Sequence, residues 1–326
     1  MSISILGTGR ALPDHVLTNA DLENRLDTND EWIRTRTGIQ ERRIVAAHES
    51  TLTLATDAAK DALDDAGLSA SDLDLIICAT ISSEYPFPAT ACLVQEALGV
   101  TEIPAFDLSA ACSGFVYGVI QAAHFVHHGT YRHVLVIGAE AMSRFTDYED
   151  RGTCILFGDG AGAAIIGPAQ RDGQGIHHTI MGADGSGARM IICPGGGAKE
   201  PASRRTVDER MHFLKMRGRE VYRFAVTRMQ QVIRDAMAAQ GLGPEDVAMI
   251  VPHQSNLRII ESATEKLGLP PEKVWVNIDR FGNMSGASIP VALDEVMETG
   301  RIKPGDWILL AGFGAGLTWA SALIRM

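Results

Sequence analysis

The chain repeats itself. "DAAKDALDDAGLSASDLDLIICATISS" begins at Asp57 and "RDAMAAQGLGPEDVAMIVPHQSN" at Arg234. Each reads as a helix, a Gly-Leu break, an Asp-initiated turn and an apolar β-branched strand. Gly67 matches Gly241 and Asp72 matches Asp246, both at an offset of 174. "LGVTEIPAFDLSAACSG" and "LGLPPEKVWVNIDRFGNMSG" follow in the same order, ending at Gly114 and Gly286 with an offset of 172. "RHVLVIGAEA" then resembles "GDWILLAGFGA", with Gly138 opposite Gly312, again at 174. Three matched segments in one order predict a duplicated β/α unit, and 326 residues are enough for each copy to build a sheet of its own.

The strand candidates LIICAT, HVLVIG, AAIIG, MIVPH and WILLAG are apolar without alternation, as expected of strands covered on both faces. "SGFVYGVIQAAHFVHHG" is apolar on nearly all sides and is expected as a helix buried between the halves. The expected halves are residues 1–170 and 171–326. The stretch from Gln170 to Asp208 has no match in the first half; rich in Gly, Pro and Ser, it reads as an insertion placed over a site. A long helix is expected from Met211 to Gln240.

Composition removes several functions. Hydrophobic residues make up 46% and charged residues 21%, an ordinary globular balance. A net charge of −11 argues against non-specific nucleic-acid or membrane-surface binding, though not against a local basic patch. The start, MSISILGTGRALP, has no basic segment before its short apolar run, so no signal peptide is expected. No apolar run is long enough for a membrane span. Cys78, Cys92, Cys112, Cys154 and Cys193 are odd in number and far apart, with no CxxC pair. That predicts neither disulfides nor a metal site, and a reducing cytoplasm. "GTGR" and "GDGAGAA" lack both the P-loop lysine and the GxGxxG spacing, so nucleotide loops of those kinds are not expected.

The chemistry gathers where the repeat aligns two turns. Cys112 stands between a strand and an "SG" helix start, opposite Met284 and beside Asn283 in the register of the repeat. His253 ends a strand opposite Ala79, where the first half has nothing reactive. A pseudo-two-fold would bring Cys112, Asn283 and His253 together. Unpaired N–H groups at a helix start lower a cysteine pKa and can hold an oxyanion. The same residues also have plain structural readings. Cys112 is then a small buried hydrophobe, Asn283 a helix cap and His253 a polar strand end. Cys78 and Cys154 read as core residues of strands; Cys92 and Cys193 have no reactive neighbourhood. Gly312, Gly314 and Gly316 form either a tight turn or backbone presented to a bound carbonyl.

"DEWIRTRTGIQERRI", "AACSGF", "RGTCILFGDGAGAA", "VPHQSNLRI", "FGNMSGASIP" and "GFGAGLTWASALIR" together resemble the 3-oxoacyl-[acyl-carrier-protein] synthase III family, from Ile5 to Arg325. The resemblance implies a thiolase fold, a duplicated α-β-α-β-α five-layered sandwich. It implies that Cys112 takes an acyl group from acyl-CoA as a thioester. His253 and Asn283 would stabilise the enolate left when a malonyl thioester on acyl carrier protein loses CO2. The N–H groups of Cys112 and Ala315 would form the oxyanion hole. Related elongating synthases carry a second histidine where this chain has Asn283, and thiolases carry a second, C-terminal cysteine that is missing here. Motif matching also implies that Trp32 and Arg151 sandwich the CoA adenine and that Arg36 meets its phosphates. Asn256 would line the pantetheine channel, with Gly218 leaving room beside it. Arg223 and Arg258 would dock the acidic carrier protein, and Phe87 would reach across a homodimer into the partner's acyl pocket. No permanently bound cofactor is implied; acyl-CoA is a substrate. Ala315 replaces a frequent glycine, and Phe281 and Met284 depart from the family pattern, as do "IICPGGGAKEP" and "FLKMRGRE"; these departures leave acyl preference and pathway open. A polyketide-priming synthase or a secondary-metabolite acyltransferase would share the triad. A thioester hydrolase and a non-catalytic acyl-CoA-binding member are the more distant readings.

Overall fold

A computed structural model describes residues 2–326. In the first sheet, β1 (Ile3–Ala11), β2 (Leu75–Ala79), β3 (Ala105–Leu108), β4 (Val134–Ala141) and β5 (Asp159–Pro168) are ordered β1-β5-β4-β2-β3. β2 pairs in parallel with β3 and β4, and β5 runs antiparallel to β1 and β4. In the second sheet, β6 (Gly175–Ala183), β7 (Val247–Pro252), β8 (Trp307–Gly314) and β9 (Thr318–Arg325) are ordered β7-β8-β9-β6. β7 and β8 are parallel; β9 is antiparallel to both its neighbours. The second sheet therefore repeats the first, with β7, β8, β9 and β6 in the places of β2, β4, β5 and β1. The place of β3 is held only by a single parallel bridge between Ile250 and Val274.

The longer helices are α1 (Asp30–Thr37), α2 (Thr51–Ala66), α3 (Thr90–Ala97), α4 (Gly114–His127), α5 (Gly218–Ala238), α6 (Leu257–Glu265) and α7 (Ser288–Glu298). Their ends follow local chemistry. α2 starts at a capping box in which Ser50 and Thr53 bond each other's backbone N–H, and stops at Gly67 with φ +64°. Gly241, the repeat partner of Gly67, follows α5 with φ +66°. Asn29 caps α1 through the Trp32 N–H, and Asn256 caps α6 through the Arg258 N–H.

Three apolar layers alternate with the sheets. α2 buries Leu54, Ala58 and Ala62 on one face of the first sheet. α4 and α7 lie between the sheets, where Phe115, Val119, Ile289 and Leu293 meet Ile77, Val136, Met249 and Leu310. α5 and α6 cover the outer face of the second sheet through Met229, Ile233 and Ile260 against Ile250 and Leu309. Each fully buried large aliphatic side chain contributes about 1.5–3 kcal/mol. The result is the expected α-β-α-β-α sandwich.

The structure corrects several expectations. The stretch after Gln170 is not wholly an insertion: residues 175–183 supply β6, the counterpart of β1. Its alternation of exposed and covered positions had hidden it among polar residues. The long helix starts at Gly218, not Met211. Residues 211–217 instead run beside the first half, with the Leu214 N–H bonded to the Phe145 carbonyl at 2.8 Å and Lys215–Met216 paired to Ile191–Ile192. Cys154 is buried as expected, but in a turn rather than a strand.

The two special turns are equivalent with a register different from the one expected. Ala111 (φ +48°) and Ser285 (φ +47°) adopt the same left-handed backbone at an offset of 174, so Cys112 stands opposite Gly286, not Met284. The packing is exchanged between halves. The 3₁₀ turn Ala111–Ser113 seats on β8, and its counterpart Ser285–Ala287 seats on β4. Glycines permit the approach: a Cβ on Gly138 would lie 2.4 Å from the Gly286 carbonyl oxygen, and one on Gly314 would lie 2.7 Å from the Cys112 nitrogen.

Candidate active site

Exchanged seating puts both turns at one point, beside the carboxyl ends of β7 and β8, where open α/β sheets bind ligands. A cavity of about 420 Å³ opens there. Cys112, His253, Asn283, Ser285, Phe313 and Ala315 lie along its wall, so the three residues aligned by the repeat do converge.

Cys112 sits in the 3₁₀ turn before α4 and is half-buried. Its Sγ donates to the Ser285 Oγ at 3.7 Å. The expected lowered pKa is not what the site provides. Burial pushes the thiol up to about 12; the Ser285 hydrogen bond works against this, and nearby Glu140 adds to it. The helix start lies at the thiol, and loss of water acts in the opposite direction, holding the group above its ordinary value.

His253 follows directly on β7, its N–H bonded to the Ala311 carbonyl at 2.8 Å. The ring is buried and packs edge-on to Phe313 with 5.5 Å between centroids. Burial pushes its pKa down to about 3, so the imidazole is neutral and Nδ1 has no hydrogen-bond partner in the protein. Asn283 is also buried. Its Oδ1 accepts the Ser285 N–H at 2.8 Å two residues on, a turn bond rather than the expected helix cap, since Met284 holds the cap position; the two N–H donors are left for a ligand. Two neutral donors therefore border the same space as the thiol. Ala315 follows β8, and a Cβ on its neighbour Gly314 would lie 2.7 Å from the Cys112 nitrogen. The backbone at Ala315 thus runs beside Cys112, pinned by Thr318, whose hydroxyl reaches the carbonyls of Ala110 and Ala315.

Towards the mouth the wall includes Trp32, Arg36, Gly218, Asn256 and Arg258. Asn256 bonds the Arg36 carbonyl at 3.0 Å and so ties α6 to the end of α1. Gly218 faces open space, with nothing within 4 Å of a would-be Cβ. Arg36 and Arg151 both lie over the Trp32 ring, at 4.9 and 4.4 Å from its centroid. Arg151 is not on the cavity wall. It already stacks on Trp32, held by the Asp27 carbonyl at 2.7 Å, so a purine between the two requires Arg151 to release the ring. Arg223 is exposed on α5, outside the wall, and Phe87 is 84% exposed and elsewhere on the surface.

Sequence reasoning missed Ser285 and Glu140. Ser285 partners Cys112; Glu140 lies fully buried at the end of β4, against Gly286. An acidic residue inside the apolar run "VLVIGAEA" was the available signal. A second cavity of about 220 Å³ adjoins the first. It shares Ile81, Ala111, Met142 and Ala315 with it and reaches Ile192 and Cys193, which gives that cysteine an unexpected setting. Among the described residues no helix is long and apolar enough to cross a membrane, and no group of three or more His, Cys, Asp or Glu is placed to hold a metal.

Known proteins resemble the chain throughout. The family pattern 3-oxoacyl-[acyl-carrier-protein (ACP)] synthase III matches residues 106–185, and its C-terminal counterpart matches residues 237–326. A β-ketoacyl-[acyl-carrier-protein] synthase III of Caldanaerobacter subterraneus is 51% identical over 325 residues, covering 100% of this chain and 98% of that one. Among solved structures, 3-oxoacyl-[acyl-carrier-protein] synthase III from Aquifex aeolicus superposes with a TM-score of 0.91 at 47% identity, covering 99% of this chain and 100% of the other. The priming β-ketosynthase of the R1128 polyketide pathway also gives 0.91, at 35% identity, covering 100% and 96%.

Proposed function

The chain belongs to the 3-oxoacyl-[acyl-carrier-protein] synthase III family of acyltransferases, and from that premise we propose how its own residues carry out the condensation that initiates fatty-acid synthesis. The observation that carries the proposal is the convergence of a thiol and two neutral N–H donors on one cavity wall.

In the first half-reaction the Cys112 sulfur attacks the thioester carbonyl of acyl-CoA. The carbonyl oxygen becomes an oxyanion beside the N–H groups of Cys112 and Ala315. Trp32, Arg36 and Arg151 receive the nucleotide end of CoA by stacking and charge, and the pantetheine passes Gly218 and Asn256. The acyl group left on Cys112 enters the adjoining apolar cavity bounded by Ile81, Met142 and Ile192.

In the second half-reaction the malonyl thioester, carried on acyl carrier protein, places its carbonyl against His253 and Asn283. CO2 leaves, and the electron pair it releases forms an enolate stabilised by the two donors. His253, held neutral by burial, donates through its one ring N–H without carrying a formal charge. The enolate carbon attacks the Cys112 thioester, giving 3-oxoacyl carrier protein and the Cys112 thiolate, which takes up a proton from water. Arg258 and Arg223 are exposed near the mouth of a chain of net charge −11. They support docking of an acidic carrier.

A homodimer is part of this reading. β3 has a ladder partner only in β2, leaving its outer edge unpaired, and the apolar side chains of Phe106, Tyr85 and Phe87 are exposed nearby in sequence. Such an edge invites pairing with a second copy. The likeness to the R1128 priming ketosynthase favours a second reading, priming of a polyketide by the same chemistry.

One experiment tests both. The protein is incubated with acetyl-CoA, longer acyl-CoAs and malonyl-carrier protein, and mass is followed on Cys112 and on the carrier. An adduct on Cys112 followed by a 3-oxoacyl carrier is expected. No adduct overturns nucleophilic catalysis, and an adduct that is only hydrolysed replaces the synthase reading with a hydrolase. Preference for a starter other than acetyl favours the priming role.

A further inference from the structure

Acylation of a neutral thiol leaves a proton to be placed, and the hydrogen bond of the Cys112 thiol goes to the Ser285 hydroxyl. Ser285 itself is buried and held at φ +47°, a backbone region disfavoured for residues with a Cβ. The Ser285 hydroxyl stands one residue from the Gly286 N–H that donates to the carboxyl of Glu140. That carboxyl is fully buried. It accepts from the Ser82 hydroxyl at 2.5 Å, the Ile81 N–H at 3.2 Å, the Gly286 N–H at 3.3 Å and the Thr80 hydroxyl at 3.3 Å. Every one of these donors is neutral. A buried carboxylate without a cation is poorly stabilised and readily takes a proton.

Resting on the reading of Cys112 as nucleophile, we propose that Glu140 is the proton acceptor for acylation of Cys112, reached through the Ser285 hydroxyl. As the Cys112 sulfur bonds the acyl carbon, its proton passes to the Ser285 oxygen and the Ser285 proton passes to a Glu140 oxygen. The bond between the acyl carbon and the CoA sulfur breaks, and the electron pair leaves with CoA as thiolate. Ser285 also lines the cavity, so the stored proton returns through its hydroxyl to that thiolate, releasing CoA as the thiol. No oxidant, metal or further reactant is needed. Burial holds the Glu140 carboxyl up at about 7, where it can both accept and return a proton near neutral pH. The titratable groups coupled to it are the thiols of Cys112 and Cys78, each pushed upward by its charge as well as by burial.

The test is rapid-mixing release of CoA from acetyl-CoA, with the adduct mass on Cys112 as a check, between about pH 5.5 and 9. Wild type, Glu140→Gln, Glu140→Asp and Ser285→Ala are compared after thermal melts establish that each is folded. Acylation is expected to slow about 10²-fold in Glu140→Gln and Ser285→Ala, and to recover in part in Glu140→Asp. The rise in rate through neutrality is expected to disappear in Glu140→Gln. Release of CO2 by the pre-acylated protein is expected to change far less than acylation. Wild-type acylation rates in the folded variants overturn the proposal, as does an equal loss in both half-reactions with an unchanged pH profile. If Glu140→Gln does not fold, Ser285→Ala decides alone. A wild type that takes no acyl group overturns the reading of Cys112 itself, and this inference with it.

Discussion

At the scale of single residues, the proposed mechanism separates two half-reactions. Cys112→Ala is expected to abolish the acyl adduct seen by mass spectrometry while leaving the fold intact. His253→Ala or Asn283→Ala is expected to lower CO2 release by about 10²–10³-fold, the usual cost of a lost donor to a developing oxyanion, with the Cys112 adduct still forming. pH acts on stability in opposite directions at two buried groups. His253 is held well below its ordinary value, so its contribution is complete above about pH 6.5 and is lost as pH falls towards 3. Glu140 is held above its ordinary value, so its contribution is complete below about 4.5 and is lost as pH rises through 7. Between those limits the two partly offset. Melting curves of His253→Gln and wild type should therefore diverge with pH, the variant gaining relative stability as pH falls below about 6.5; a constant difference would contradict a buried neutral imidazole. Cys112 was readable in sequence as a nucleophile candidate, but its pKa was not. A helix start is local in sequence, whereas the burial that dominates comes from β8 and the Ser285 turn, far along the chain. Glu140 escaped because its repeat position is Gly314, so the duplication offered no partner to flag it.

At the scale of elements, strands whose apolar runs do not alternate announced themselves; β2 and β4 are buried throughout. β6 did not, because it lies at a sheet edge and mixes histidines with apolar positions. The first turn of the expected long helix failed for a related reason. Residues 211–217 are recruited by the first half, where Asp147 is held by Arg210 and by Lys215 at 3.0 Å. Tertiary contacts overrode the local helical pattern there. The approach of the Ser285 turn to β4 gives a direct test. Gly138→Ala places a Cβ against the Gly286 carbonyl and is expected to cost about 1–3 kcal/mol of stability, read from chemical denaturation, with a loss of activity because Asn283 and Ser285 ride on that turn. Gly218 is the opposite case. A Cβ at Gly218 meets no neighbour, and the position stands at the cavity mouth, so Gly218→Phe should raise KM for acyl-CoA about tenfold with Tm little changed.

At the scale of the whole molecule, charge and edges determine what the protein meets. Arg223→Glu lies off the cavity wall, so it should weaken use of the malonyl carrier by several-fold without altering acylation by acyl-CoA. The difference should shrink as salt is raised past about 0.15 M, where the Debye length is about 8 Å; an effect independent of salt would place carrier docking elsewhere. Phe87→Asp should shift the protein towards monomer in light scattering if the β3 edge is where copies meet. The duplicated architecture was legible because a fixed spacing survives in the sequence, while the exchanged seating of the two turns was not, since no run of residues records which half a turn rests on. That seating has a historical consequence. Once each half leaned its reactive turn on its sibling's central strand, the copies ceased to be interchangeable. One kept a thiol and a carboxyl, the other an imidazole and an amide. Neither half holds all four groups, so neither alone could line the shared site.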